Sequence, residues 1–153
     1  MKKQYTVAPV IKNEKMTVTF EDLTSEGMGV AKVEGYPLFV ADGLPGERAT
    51  IKVTKVGKSF GFARIEERLS SSPDRIPTRD VKGTRVGTMP LQNLRYSAQL
   101  AFKKNNVEQV MKRIAKMPEV EVKPTIGMEN PWGYRNKAQI PVRQKDGKLV
   151  TGF

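Results

Sequence analysis

Residues 47–68, ERATIKVTKV-GK-SFGFARIEER, carry the pattern from which the fold is read. Ala49, Ile51 and Val53 alternate with charged neighbours, while Phe60 and Phe62 share one face of the second half. A period of two residues marks half-buried strands, and Gly57-Lys58 between the halves supplies the reversal. Working outward toward the N-terminus, Met16 to Leu23 (MTVTFEDL) alternates in the same way and ends at Ser25-Glu26-Gly27. Gly29 to Glu34 is broken by Gly35, Tyr36 to Ala41 resumes, and Asp42-Gly43-Leu44-Pro45-Gly46 is the strongest turn in the chain. Five short strands without an intervening helix, joined by Gly-rich turns, predict a small closed sheet of oligonucleotide-binding type over residues 1–68.

Beyond Arg68 the pattern changes. Residues 69–90 hold serines and prolines with little periodicity, and read as a linker or extended loop. Ser97 is placed to cap a helix over about residues 98–117, with Leu100, Val107, Val110, Met111 and Ile114 at three- and four-residue spacings and Pro118 as the stop. Its apolar face is expected to pack into a core. A hairpin is expected from Lys137 to Arg143 and Lys148 to Phe153, reversed at Lys145-Asp146-Gly147. The expected fold class is therefore mainly β with one substantial helix: a five-stranded barrel, then a partial α+β domain over residues 91–153. Because Leu149 to Phe153 has strand character with no turn-forming tail, the natural protein is expected to continue.

Composition bounds the chemistry. The 153 residues contain no cysteine and no histidine, which leaves this chain without a disulfide, a thiolate nucleophile or an imidazole proton shuttle. No metal site and no catalytic residue is expected. No apolar run approaches the roughly 20 residues of a membrane helix, and MKKQYTVAPVIKNEK at the start lacks the apolar core of a signal peptide, so a cytoplasmic protein is expected. A net charge of +11 favours an extended polyanion as partner, since each cation set against a phosphate releases a condensed counterion. That charge is uneven: residues 1–68 carry 11 basic against 9 acidic side chains, and residues 69–153 carry 16 against 7.

Single-stranded RNA is gripped by cations spaced along a surface beside flat side chains on which bases stack. Lys52, Lys55 and Lys58 lead directly into Phe60, Phe62 and Arg64, the arrangement such binding needs. The competing reading makes Phe60 and Phe62 core residues and the lysines a solvated face. Residues 132–137, WGYRNK, are denser, joining two aromatics, a flexible glycine, two cations and an amide. There the alternative is that Trp132 and Tyr134 anchor a loop while Arg135 pairs with Glu129. The helix cations Lys103, Lys104, Lys112, Arg113 and Lys116 read mainly as a solvated face, with phosphate contact second and membrane attachment a weak third. Gly27-Met28-Gly29 is followed by no Gly-Lys-Ser/Thr and forms no nucleotide-hydrolysing loop.

The order of these segments carries a resemblance. Residues 27–31 (GMGVA), Phe39-Val40 and Leu44-Pro45-Gly46-Glu47 make the first part similar to a TRAM domain, an RNA-binding barrel. Residues 72–75 (SPDR), 91–96 (LQNLRY) and 130–137 (NPWGYRNK) extend the likeness to bacterial S-adenosylmethionine-dependent uridine C5-methyltransferases of 23S ribosomal RNA. The resemblance implies that this chain is the RNA-gripping front portion of such an enzyme. The methyl-donor domain, with the cysteine that attacks C6 of the uridine, would lie beyond it, and the chain alone would be inactive. Many members carry an iron–sulfur centre before the Leu-Gln-X-Leu segment. Here the three early cysteine positions fall on Asp80, Val86 and Met89, so a cluster-free branch is expected. The resemblance and the residues together nominate Lys52, Lys55, Lys58, Phe60, Arg64, Tyr134, Arg135, Asn136 and Lys137 as RNA contacts. The rival reading is a free-standing, non-enzymatic RNA-binding or ribosome-associated protein, and a small carboxylate-only hydrolase is a weak third.

Overall fold

The structure is a computed structural model that describes residues 7–79 and 89–152. Six strands form its main sheet: β1 Lys15–Thr19, β2 Asp22–Leu23, β3 Gly29–Val33, β4 Tyr36–Val40, β5 Arg48–Val56 and β6 Gly61–Arg68. Their order is β1-β5-β6-β4-β3-β2, antiparallel throughout except for the β4–β6 pair, which is parallel. One strand more is present than the alternation predicts, because the segment 16–23 divides. Phe20 donates its N–H to Glu47 O (3.0 Å), and its carbonyl accepts from Gly46 (2.9 Å), while Glu21 donates to Val30 O (2.8 Å). The chain thereby passes from the β5 edge to the β3 edge, and this change of partner curls the sheet into an OB-like half-barrel.

The inward positions are those the period of two selects. Phe20, Ala31, Tyr36, Leu38, Val40, Ala49, Ile51 and Val53 are all essentially inaccessible. Burying a side chain of the Val, Leu, Ile or Phe type contributes about 1.5–3 kcal/mol, which is what holds the curl closed. Tyr36 is buried with its hydroxyl satisfied twice at one residue, donating to Gly57 O (2.9 Å) and accepting from Gly57 N–H (3.1 Å). That clamp fixes the β5–β6 turn to the barrel floor. A Cβ on Gly57 would sit 2.7 Å from the Phe60 carbonyl oxygen, so the turn needs glycine there.

The residues after β6 lie on the barrel. Ser70 Oγ accepts from Arg48 N–H (2.9 Å), Arg75 N–H bonds Ser72 O, and Ile76 donates to Asn93 O (2.8 Å). Arg75 and Leu94 form an isolated bridge, and Arg95 donates to Asp74 O (2.8 Å). At the centre is Glu47, fully buried. Its carboxylate accepts from Arg75 Nε (2.5 Å) and Nη2 (2.9 Å), Arg68 Nε (3.3 Å) and the N–H groups of Leu44 and Ser72 (both 3.1 Å). Burial works to raise its pKa, but the Arg75 guanidinium and the two main-chain donors outweigh it and hold the carboxyl below its ordinary value. Asp42 completes the network, accepting from Arg68, Arg75 and Asn93. The sequence reading missed this network entirely.

Two expectations about the helix are corrected. The helix α1 runs Tyr96–Arg113, and Ser97 lies inside its first turn; the N-cap is Arg95, whose side chain makes no capping bond. The start is set instead by tertiary pairing of Arg95 with Asp74. Both amide hydrogens of Gln99 go to the carbonyls of Leu91 (3.1 Å) and Leu94 (2.8 Å). The end comes before Pro118, because Lys116 takes a positive φ of 60° and Met117 donates back to Met111 O. The second correction concerns packing: no residue of α1 is buried. Ala98 and Phe102 rest against the Leu23–Leu44–Leu94 cluster, whereas Val107, Val110 and Ile114 are open. The apolar stripe is real, but the described residues supply nothing to cover its C-terminal half.

The hairpin is β7 Val142–Lys145 and β8 Lys148–Thr151, shorter than the pattern suggested and exposed throughout. Asp146 (φ 51°) and Gly147 (φ 74°) form the two-residue turn, both in the left-handed region that matches strand twist. Asp80 and Val86, two of the positions aligned with cluster cysteines, lie outside the described residues.

Candidate nucleic-acid interface

The outer face of the barrel carries the first group of candidates. Strand alternation turns Ile51, Val53 and Ala63 inward, so Lys52 and Arg64 point outward, and they are direct register partners across β5 and β6. Lys15 on β1 is the partner of Lys52 on its other side. Three cations therefore stand in one row across three adjacent strands. Glu66, two places beyond Arg64, binds Lys15 (3.0 Å) and Arg64 Nε (2.8 Å). Lys15 first and Arg64 second hold the Glu66 carboxyl below its ordinary value. Among the described residues neither Lys52, Lys55 nor Lys58 has an ion-pair partner, so their charge is available to a ligand.

One step along the sheet, the row becomes aromatic. A bulge between Val53 and Lys55 brings Lys55 opposite Phe62, and the parallel β4–β6 pairing sets Phe62 opposite Phe39. Phe39, Phe60 and Phe62 form a triangle with ring centroids 5.4, 5.7 and 5.9 Å apart, tilted or edge-to-face. None is buried, and Phe60 is 41% exposed. Apolar rings clustered on the outside of a barrel whose core is already filled need another reason to be there. With Phe60 exposed and Phe39 and Phe62 half-buried beside it, the cluster gives a base a face to stack on, with Lys55 and Arg64 nearby for phosphate. Lys58 sits in the turn that Tyr36 clamps, at the end of this surface. The sequence reading nominated Lys52, Lys55, Lys58, Phe60 and Arg64, saw Phe62 beside them without nominating it as a contact, and missed Phe39 and Lys15. Phe39 was detectable as the outward residue of residues 36–40 (YPLFV); its approach to Phe60 was not.

The second group lies on the segment after α1. Thr125 Oγ1 donates to Leu100 O (3.0 Å), and Met128 N–H donates to the Tyr96 hydroxyl (2.8 Å), which ties residues 125–128 to the helix. Asn130 Oδ1 then accepts from Trp132 N–H (3.1 Å), forming a tight turn. The Arg79 guanidinium lies 4.8 Å from the Trp132 ring centroid, and that of Arg135 lies 6.0 Å from the Tyr134 ring. Tyr134, Arg135, Asn136 and Lys137 are all exposed. Among the described residues no ion pair joins Arg135 to Glu129. The nine nominated residues thus fall into two groups, one on the barrel strands and one beside α1.

Comparison with known proteins bears on both. Residues 9–65, the barrel, match the family model of the TRAM domain. Over 145 residues the chain is 57% identical to an uncharacterized RNA methyltransferase of Enterococcus faecalis, covering 95% of this chain and 32% of that protein. A second relative, from Halalkalibacterium halodurans, is 49% identical over 146 residues with the same coverage of each. A third, from Listeria innocua, is 51% identical over 142 residues, covering 93% of this chain and 31% of the relative. Both bear the same description of RNA methyltransferase. The chain spans about a third of the length of these curated relatives. A conserved Methanococcus maripaludis protein solved in solution aligns with 39% of this chain and 86% of its own, at 33% identity and a TM-score of 0.38.

Proposed function

We propose that these 153 residues are the RNA-binding, substrate-recognition portion of a cytoplasmic, S-adenosylmethionine-dependent RNA methyltransferase that acts on uridine C5 in 23S ribosomal RNA. The observation that carries the RNA-binding part is the phenylalanine triangle set beside a row of cations on the outer face of the TRAM barrel. The methyltransferase part is supported by relatives of that description, each about three times as long as the stretch matched. The target base, the ribosomal RNA and the donor come from the resemblance of residues 72–75, 91–96 and 130–137. Among the described residues there is no strand–Gly-rich turn–helix unit of the kind that cradles such a donor. No step of transfer is therefore assigned to these side chains. Their work is to hold RNA: rings stack on unpaired bases, and cations fix the backbone between them.

The test is a filter-binding titration of this chain against a single-stranded ribosomal RNA segment at several salt concentrations. Affinity is expected to fall steeply with salt, and Phe39→Ala with Phe60→Ala is expected to weaken binding at every salt concentration. A flat salt response, or a double variant that binds like the parent, would remove the interface. The methyltransferase assignment is tested separately by methyl incorporation into 23S ribosomal RNA by the full-length protein, with product analysis for 5-methyluridine.

A further inference from the structure

The β7–β8 hairpin segregates its charge by face. Val142 pairs with Thr151, Arg143 with Val150, Gln144 with Leu149 and Lys145 with Lys148. Partners in register share a face and successive residues alternate, so Arg143, Lys145, Lys148 and Val150 stand on one side. Val142, Gln144, Leu149 and Thr151 stand on the other. Every cation of the two strands is therefore on one face, and the opposite face carries no charge. Both strands are exposed along their whole length.

This arrangement works against the hairpin on its own. Lys145 and Lys148 are direct register partners, and like charges directly opposite destabilise an antiparallel pair. Arg143, two residues along β7, adds a third positive charge to the same face. A lone two-stranded hairpin is already marginal in water. Acidic side chains of the chain do not relieve the repulsion: among the described residues Arg143, Lys145 and Lys148 have no ion-pair partner, although Asp146 stands in the turn between the two lysines. Lys32 and Lys104 show the contrast, each held by a carboxylate, Glu21 and Glu108 respectively. The cationic face lacks the aromatic and leucine side chains with which a basic surface enters a membrane, since Val150 is its only apolar residue. An extended polyanion is the ligand that matches it, because charges repeated along a strand can meet successive phosphates of one backbone.

We propose that this face is a further RNA-contact surface, on which Arg143, Lys145 and Lys148 hold backbone phosphates of a single strand. The inference rests on the RNA-binding reading above and adds a site that includes none of the nine nominated residues. With no ring and no amide on the face, its contacts are to phosphate, so it positions RNA without reading sequence. Neutralising the Lys145–Lys148 repulsion also makes the hairpin more ordered when RNA is bound.

The experiment measures filter binding of this chain to adenosine and uridine homopolymers of equal length across salt concentrations. Lys145→Gln with Lys148→Gln is expected to lower the slope of log affinity against log salt by about 1.4, at roughly 0.7 per lost phosphate contact, and adding Arg143→Gln to bring the loss to about 2. The loss is expected to be the same on both homopolymers. Lys32→Gln with Lys104→Gln removes the same charge from cations that are already paired, and is expected to leave the slope at the parent's value. Lys145→Arg with Lys148→Arg is expected to keep the slope, which separates lost charge from a disturbed hairpin. Amide hydrogen exchange in β7 and β8 is expected to slow when RNA binds the parent and to be unaffected by RNA in Lys145→Gln with Lys148→Gln. A slope unchanged by Lys145→Gln with Lys148→Gln overturns the inference and leaves the barrel interface standing. An equal loss in the Lys32 and Lys104 variant overturns it too, since net charge and not this face is then responsible. If the parent binds neither homopolymer at any salt concentration, the RNA-binding reading itself fails, an outcome distinct from binding that ignores the hairpin.

Discussion

Replacing Glu47 with Gln is the sharpest perturbation of the scaffold on which both binding groups depend. The carboxylate is fully buried, and the Arg75 side chain that grips it is only 14% exposed, so solvent screens the pair little. Glu47→Gln keeps the shape and one acceptor oxygen but removes the charge opposite Arg75 and Arg68. It also sets an NH₂ group against donors where an oxygen now accepts. Losing one partner of a buried ion pair costs about 3–5 kcal/mol, and because Asp42 still engages Arg75 the expectation is about 2–4 kcal/mol. For a domain of this size that lowers Tm by about 10–25 °C. The pH dependence gives the reasoning a second edge. The folded carboxyl titrates below its ordinary value of 4.5, so its stabilisation is fully present above that range and is lost as pH falls through the lower folded value. Melting curves followed by circular dichroism from pH 7 down to pH 3 should therefore show the gap between parent and Glu47→Gln narrowing only at the acid end. A variant within about 1 kcal/mol of the parent at pH 7, against the magnitude given for buried pairs, would refute the argument. So would a gap that widens on acidification.

Further expectations concern binding and packing. Lys52→Gln, Lys55→Gln and Arg64→Gln together should reduce the slope of log affinity against log salt by about 2, at roughly 0.7 per lost phosphate contact on a single strand, as read by filter binding. Phe60→Ala should weaken single-stranded RNA by about 1–3 kcal/mol with little change in Tm, because the ring is exposed and the barrel core lies on the other face of β6. Gly43→Ala should destabilise the barrel by about 1–3 kcal/mol in urea unfolding, since the added Cβ would lie 2.8 Å from the buried Phe20 ring. Arg75→Met should loosen residues 70–79 from the barrel, seen as faster amide hydrogen exchange at Ile76, whose N–H is held by Asn93 O.

What the sequence determined by itself is the periodic part of this protein. The alternation in 47–68 and 36–41 assigns inward and outward residues, because a strand's side chains have no choice but to alternate. Hence Ile51 and Val53 were legible as core, Lys52 and Arg64 as outward cations, and Asp146-Gly147 as the hairpin turn. The lack of cysteine and histidine was equally legible, and with it the exclusion of thiolate and imidazole chemistry from these 153 residues. The tertiary structure decided the rest. Phe39, Phe60 and Phe62 become one platform only through the parallel β4–β6 pairing, a contact between residues more than twenty places apart. Glu47 looks like any surface glutamate at the start of a strand until Arg75, 28 residues later, folds onto it. Helix α1 begins where Asp74 holds Arg95, not where Ser97 would have capped it, and its stripe of Val107, Val110 and Ile114 stays open although its spacing reads as core. The common reason is physical: periodicity reports the environment a side chain prefers one element at a time, while pairing, stacking and charge neutralisation depend on which elements the chain brings together.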